Sequence, residues 1–214
     1  NALLPAELQY VLLTSQKPSR IRFENGSLKI LRWLKHPLFQ ELQPQVVINS
    51  WIGQFKFIKE NAATGSPGLR APQTGALYAI LAHSQYSEDR AIIVMPTGTG
   101  KTEVMVSALL PIPCPKLLVT VPSDALRTQL ANKFITLGLL QQFGVIHSAV
   151  HKPIVGIMAN GIHDRNLLVD FMDKCNVIVT TMALLTSYSE ELRVLIAGTI
   201  SHLFVDEAHH SEAT

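Results

Sequence analysis

The sequence predicts an α/β domain built on a parallel sheet, preceded by a small α+β segment. Three observations carry that expectation. From Pro72 onward, short apolar runs alternate with helix-like stretches, which is the pattern of strand–helix–strand units. Between the first such run and its helix lies Met95-Pro96-Thr97-Gly98-Thr99-Gly100-Lys101-Thr102. Near the carboxyl end, another apolar run closes on Asp206-Glu207-Ala208-His209.

The elements follow in order. Pro5 to Leu13 reads as a short helix. Ile21-Arg22-Phe23-Glu24, Asn25-Gly26 and Ser27-Leu28-Lys29-Ile30 read as two alternating strands around a type I′ turn. Leu31 to Leu42 is mixed and is interrupted by Pro37. Val46 to Lys59 is compatible with a helix that partly buries Trp51, Ile52, Phe55, Phe57 and Ile58. Residues 61–68 are small and polar, with two Gly and a Pro, and read as a linker or long turn. The chain therefore divides into a segment 1–60 of unknown type, a linker 61–68 and a domain 69–214. In that domain a helix is expected at 72–85, a strand at 91–95, a helix at 101–110, a strand at 116–121 and a helix at 123–137. A further strand falls at 143–147 or at 153–158. Then come a helix at 165–173, a strand at 176–181, helices at 182–187 and 189–196, and a strand at 200–206. Right-handed crossovers place every strand's carboxyl end on one rim of the sheet.

The glycine-bearing loop carries the first chemistry. Gly100, Lys101 and Thr102 match the end of the G-x-x-x-x-G-K-[ST] phosphate-loop pattern, while Met95 stands where the pattern has Gly. The flanks are those the motif requires: Ala91-Ile92-Ile93-Val94 reads as a buried strand and Glu103 to Leu110 as a helix. Gly98 and Gly100 allow the backbone to turn its N–H groups inward around phosphate oxygens, with Thr97 and Thr99 on the same loop. The helix start adds its positive dipole end. Lys101 is expected on the β- and γ-phosphates of ATP and the Thr102 hydroxyl on Mg²⁺. Asp206, at a strand's carboxyl end, is expected to hold Mg²⁺ through water, and Glu207 to orient and deprotonate the attacking water. Acids at that place also suit the start of a helix.

These blocks together resemble the first RecA-like domain of superfamily 2 helicases and translocases, and look closest to the DEAD/DEAH-box group that includes type III restriction subunits. Leu69-Arg70-Ala71-Pro72-Gln73, followed by Ala76, is similar to that family's L-R-x-x-Q element. The resemblance implies that Gln73 reads adenine, with Arg70 beside it at the nucleotide. Met95 to Thr102 matches motif I, whose Met-Pro-Thr-Gly opening occurs within helicases. Leu117 to Pro122, then Ser123, Leu126 and Gln129, resembles motif Ia, which implies that Pro122, Ser123 and Arg127 lie along a nucleic-acid backbone. Val177 to Thr181 resembles the strand ending in Thr-Thr that lines the same path, which brings in Thr180 and Thr181. Val205 to His209 is motif II in its DEAH form, and the family's use of that histidine carries to His209 as a link between nucleotide state and a second domain.

The resemblance covers residues 69–214 and implies parts that do not follow Thr214: motif III and a second RecA-like domain with an arginine finger. In the family fold the motif III strand lies between the strands of motifs I and II. The domain is therefore expected to be incomplete at the carboxyl end and, without the finger, to turn nucleotide over hardly at all. Asn1-Ala2 at the start reads as a tag-cleavage remnant.

Composition adds bounds. Hydrophobic residues at 47% and charged residues at 16% describe a globular chain with a large core. The apolar runs are strand-length, so no membrane partner is expected. Cys114 and Cys175 form no metal pattern and suggest reduced thiols in a cytoplasmic protein. Residues 1–69 hold eight Lys/Arg against four Asp/Glu. Six of those cations (Lys17, Arg20, Arg22, Lys29, Arg32, Lys35) fall near Phe23 and Trp33, a mixture that suits either a solvated face or a grip on a nucleic-acid strand. His147 and His151 lack a carboxylate at ligand spacing and read as a hydrogen-bonded or exposed pair; His210 reads as structural. The leading reading is an ATP-dependent helicase acting on DNA or RNA. A double-strand DNA translocase with a restriction-type partner subunit, and a non-hydrolysing nucleotide-binding module, are the alternatives. The intact Lys101, Thr102, Asp206 and Glu207 weigh against the last, and the DEAH block weighs against a P-loop kinase.

Overall fold

A computed structural model describes residues 11–14, 30–35, 42–112 and 114–207. The chain forms two compact units, Asn1–Leu42 and Gln43–Thr214. In the first, strands β1 (Val11–Thr14) and β2 (Ile30–Lys35) pair antiparallel, with Val11 opposite Lys35 and Thr14 opposite Ile30. The helix expected over Pro5–Leu13 is thus corrected at residues 11–13, where cross-strand pairing overrides local helix preference. Of the expected 21–30 hairpin only Ile30 is described; its Asn25-Gly26 turn lies outside the described residues, as do Lys17, Arg20, Arg22, Phe23 and Lys29.

The second unit opens with helix α1 (Pro44–Asn49), which starts with proline at its first position, where the missing N–H costs nothing. The helix expected to run to Lys59 stops at Asn49, and the chain turns at Gly53, whose φ of +69° suits glycine. Val47 and Trp51 are buried in the same apolar cluster as Leu69, Leu77 and Phe134. The Trp51 indole donates to the His151 carbonyl at 2.9 Å, and Asn176 Nδ2 donates to the Pro44 carbonyl at 3.0 Å. Residues 43–60 therefore pack with the body that the sequence reading began at residue 69. The 61–68 stretch is a closed turn within that body: Asn61 and Ser66 exchange backbone hydrogen bonds, and Leu69 N–H reaches the Ile58 carbonyl at 2.8 Å.

Helices α2 (Ala71–Tyr86), α3 (Lys101–Ala108), α4 (Asp124–Thr136), α5 (Arg165–Asp173), α6 (Met182–Ser187) and α7 (Glu190–Thr199) alternate with strands β3 (Leu117–Val121), β4 (Val155–Ile157), β5 (Val177–Thr181) and β6 (His202–Val205). Among the described residues these strands form one parallel sheet in the order β4-β5-β3-β6. β3 and β5 are buried along their whole length, as expected when helices cover both faces of a parallel sheet. Side chains alternate across the strand, so Leu117, Val119 and Val121 join one cluster with α2, α3 and α4 residues, while Leu118 joins a second with α5 and α7 residues. Of the two positions left open for the middle strand, the later one is realised, at Val155–Ile157; residues 143–147 form turns and bends but no strand.

One strand expected in the second unit does not form. Ala91–Met95 is not a strand. Ile92, Ile93 and Val94 are 71%, 38% and 88% exposed. On the sheet itself, the outer side of β6 pairs with no described strand, and Leu203 and Val205 on it are 48% and 37% exposed. A β-branched run becomes a strand only where a neighbour supplies ladder partners, and no described strand lies beyond β6 to do so.

Trp51→Ala should cost about 3–5 kcal/mol of unfolding free energy in a denaturant titration, and Trp51→Phe distinctly less, because it removes mainly the bond to His151. A Trp51→Ala midpoint equal to wild type would show that residues 43–60 do not share the cooperative unit.

Candidate functional site

The phosphate-loop sequence turns as its glycines permit. Gly98 and Gly100 have φ of +79° and +89°, in the left-handed region open to glycine. Thr99 ties the loop to itself: its Oγ1 donates to the Pro96 carbonyl at 2.6 Å, and its N–H to the same atom at 3.3 Å. Gly100 is the cap residue of α3, so Lys101 and Thr102 form the first helical turn, where backbone N–H groups have no helical acceptor.

The start of α2 lies against this loop. Gln73, 2% exposed, accepts the Arg70 N–H at 2.9 Å, closing the helix amino end in the manner of a capping residue. Arg70 Nη1 donates to the Gly98 carbonyl at 3.2 Å. A Cβ at position 100 would collide with the Gln73 amide and crowd the Arg70 guanidinium. Gly100 is thus fixed by space as well as by φ, and Arg70 and Gln73 sit at the loop.

β6 brings the acids to the same place. Asp206 N–H extends the β3–β6 ladder by donating to the Thr120 carbonyl at 2.9 Å. Glu207 then takes φ of +52°, an uncommon conformation for a residue with a side chain. Its Oε1 receives Lys101 Nζ at 2.6 Å, joining residues 106 apart in sequence. Burial raises the Asp206 carboxyl above its ordinary value, and the neighbouring Glu207 charge adds to that; Lys101 and the Glu207 backbone partly oppose it.

The two central strands end nearby in the sheet. Pro122 and Ser123 are exposed just past β3, and Ser123 Oγ accepts the Leu126 N–H at 3.4 Å as the cap of α4. Arg127 is 8% exposed and bonds Asp124 Oδ1 at 2.6 Å, so an outside ligand reaches its guanidinium only if that pair opens. Thr180 is fully buried and donates to the Met158 carbonyl at 3.2 Å; Thr181 caps α6 by accepting the Leu184 N–H at 3.2 Å. His209 and His210 lie outside the described residues.

The donor set fits a magnesium nucleotide. Gly98 and Gly100 form a cradle with no room for a side chain at 100, the α3 start offers N–H groups, and Lys101 offers a cation. Thr102 and Asp206 are oxygen donors suited to Mg²⁺, which binds through one or two protein oxygens plus phosphate and water rather than in an all-protein cage. No group of three or more His, Cys, Asp or Glu suited to a metal occurs among the described residues. His147 Nδ1 accepts the Ala149 N–H at 3.1 Å. Burial pushes the Cys114 thiol up to about 12 and Cys175 up to about 11, the latter partly offset by Lys116 and Lys174, so neither supplies a thiolate. No helix among the described residues is long and apolar enough to cross a membrane. Sequence reading passed over one charged pair close to the loop, Glu103 with Lys133 at 2.6 Å; the only local hint was an acid in the first turn of α3.

The chain matches the family model described as type III restriction enzyme, res subunit, over residues 66–214. No curated protein matches it.

A carboxyl whose value is raised by folding costs stability as it ionises. The fold therefore loses stability as pH climbs from about 4, the ordinary carboxylate value, through Asp206's raised one. Asp206→Asn removes that cost. Its melting temperature should exceed wild type at pH 7 without nucleotide, and the gap should close towards acidic pH. Equal melting temperatures across the series would refute a raised carboxyl at Asp206.

Proposed function

Because the chain belongs to the family of the type III restriction enzyme res subunit, we propose that it is the ATP-binding part of a nucleic-acid motor, coupling ATP hydrolysis to unwinding or strand movement on DNA or RNA. The observation that carries this reading is the 2.6 Å pair between Lys101 and Glu207. It sets the phosphate-loop cation against the carboxylate that the reading makes the general base.

In this reading Gly98, Gly100 and the start of α3 receive phosphate oxygens through backbone N–H groups. Arg70 and Gln73 flank the loop on the side of α2 and contact the nucleotide. Lys101 exchanges Glu207 for the β- and γ-phosphates. Glu207 then accepts a proton from water as the water oxygen bonds to the γ-phosphorus, and the β–γ bridging oxygen departs with ADP. Thr102 and Asp206 would hold Mg²⁺, which would neutralise charge on the phosphates. Pro122 and Ser123, exposed past β3, meet the nucleic-acid backbone, with Thr181 beside them on the neighbouring strand. A second RecA-like domain supplies the arginine finger, and His209 links nucleotide state to it.

A second reading is favoured by the family description itself: a double-strand DNA translocase acting within a restriction system with a partner subunit. The choice of track separates the two readings.

ATPase rates of the full-length protein and of Glu207→Gln should be compared with single-stranded DNA, duplex DNA, RNA or no addition. Stimulation by one nucleic acid, with Glu207→Gln at least about 100-fold slower, is expected. Stimulation by duplex DNA alone points to the translocase. Absence of hydrolysis under every condition would leave a nucleotide-binding module.

A further inference from the structure

Glu103 is the third residue of α3, two positions past Lys101, and its side chain is only 9% exposed. Both carboxylate oxygens are engaged. Oε1 receives Lys133 Nζ at 2.6 Å, and Oε2 receives the Leu139 N–H at 3.2 Å. Lys133 belongs to the last turn of α4. Leu139 follows Leu137 and Gly138, whose φ values of +58° and +55° form a left-handed turn that closes the helix. A Cβ at position 138 would collide with the Glu103 carboxylate, so glycine there supplies space as well as its permitted φ.

An acid in a helix's first turn gains from the helix dipole while exposed to water, so that effect alone gives no reason to bury Glu103. Burying a carboxylate is costly unless it is paired and hydrogen-bonded, and this one is paired with a cation and a backbone N–H from a segment 30 to 36 residues away. The result is a two-point grip between the first turn of α3 and the end of α4. The same first turn contains Lys101 and Thr102 and follows Gly100 directly. The amino end of α4 is capped by Ser123 at the carboxyl end of β3.

We propose that Glu103 is a positioning residue: it clamps the first turn of α3 to the left-handed turn ending α4, and so holds the phosphate loop in its binding shape before nucleotide arrives. This rests on the nucleotide reading above. Without the clamp the loop must be ordered at the moment of binding, and the ordering cost appears as weaker nucleotide affinity. Once nucleotide is bound the chemical groups are the same, so the turnover rate at saturation is retained. A residue serving overall stability alone would behave differently, lowering the active fraction and hence the apparent kcat at unchanged KM.

The test uses the full-length protein and its Glu103→Gln, Lys133→Met, Glu103→Gln/Lys133→Met and Gly138→Ala variants. Amide exchange of residues 97–102 and the Kd of a fluorescent ATP analogue are read first, then KM and kcat for ATP. Glu103→Gln keeps the side chain's size and an acceptor for Leu139, which protects the fold; Gly138→Ala disturbs the clamp from the other side. Faster exchange at 97–102 with β5 amides unchanged, and Kd and KM weakened about tenfold with kcat held within about twofold, are expected for each single variant. The double variant should be no weaker than the worse single one, because both remove one interaction. Faster loop exchange in a protein whose wild type binds no nucleotide would uphold the clamp and sink the nucleotide reading. Wild-type loop exchange and Kd in Glu103→Gln, or a loss confined to kcat, would overturn the clamp.

Discussion

Parallel pairing of β3 with β5 on one side and β6 on the other sets where the strand-end residues of the candidate site lie. β3 is buried on both faces, so its register with its neighbours is set by two apolar clusters at once. A slip of one residue would turn Leu118 and Val119 to the wrong faces. With Leu117 opposite both Val177 and His202, the three carboxyl ends come out level. Thr181 at the end of β5, and Ser123 and Asp206 just past β3 and β6, therefore lie on one rim, where ligands bind in open α/β sheets.

The charges on that rim are arranged at some expense to the fold. Asp206 is held above its ordinary value by burial and by a second acid beside it, and Glu207 adopts a left-handed backbone. Neither feature benefits an unliganded protein. Both are reasonable where a site must receive a polyanion and a divalent cation, since strain and crowded like charges collect at functional sites. Lys101 lies between these demands. It offsets part of the acidic field at Asp206, and the proposed function gives the same ammonium to an incoming phosphate.

Packing on the α2–α3–α4 face ties the remaining parts to this rim. Arg70 and Gln73 bring the start of α2 onto Gly98 and Gly100, Glu103 brings α3 onto the end of α4, and Trp51 anchors the 43–60 segment across the body. The weak place in this arrangement is the apolar run Ile92–Val94, which leads into the phosphate loop without ladder support from any described strand. The loop's geometry is consequently held from its far side, through α2 and α3, which gives the contacts of Arg70, Gln73 and Glu103 their importance.

What the sequence determined by itself is local. The alternation of apolar runs and helix-like stretches was enough for the α/β class, and α5 and α6 fall on the expected residues because each has a polar cap immediately before it, Asp164 and Thr181. The glycines at 98 and 100 and the acids at 206 and 207 were legible because the chemistry they suit requires those residue types at that spacing. Tertiary structure decided whatever depends on a distant partner. Ala91–Met95 has strand composition, yet it forms no strand without a neighbour. Residues 43–60 carry no marker of their allegiance until Trp51 and Pro44 meet residues of the later chain. Arg127 reads as an available cation, yet it is folded against Asp124. Glu103 looks like an ordinary first-turn acid, and its burial against Lys133 and Leu139 follows from how two helices meet. Propensity and capping act over a few residues and are written in order along the chain, whereas ladder pairing and tertiary ion pairs join positions 16 to 106 residues apart and exist only once the fold has closed.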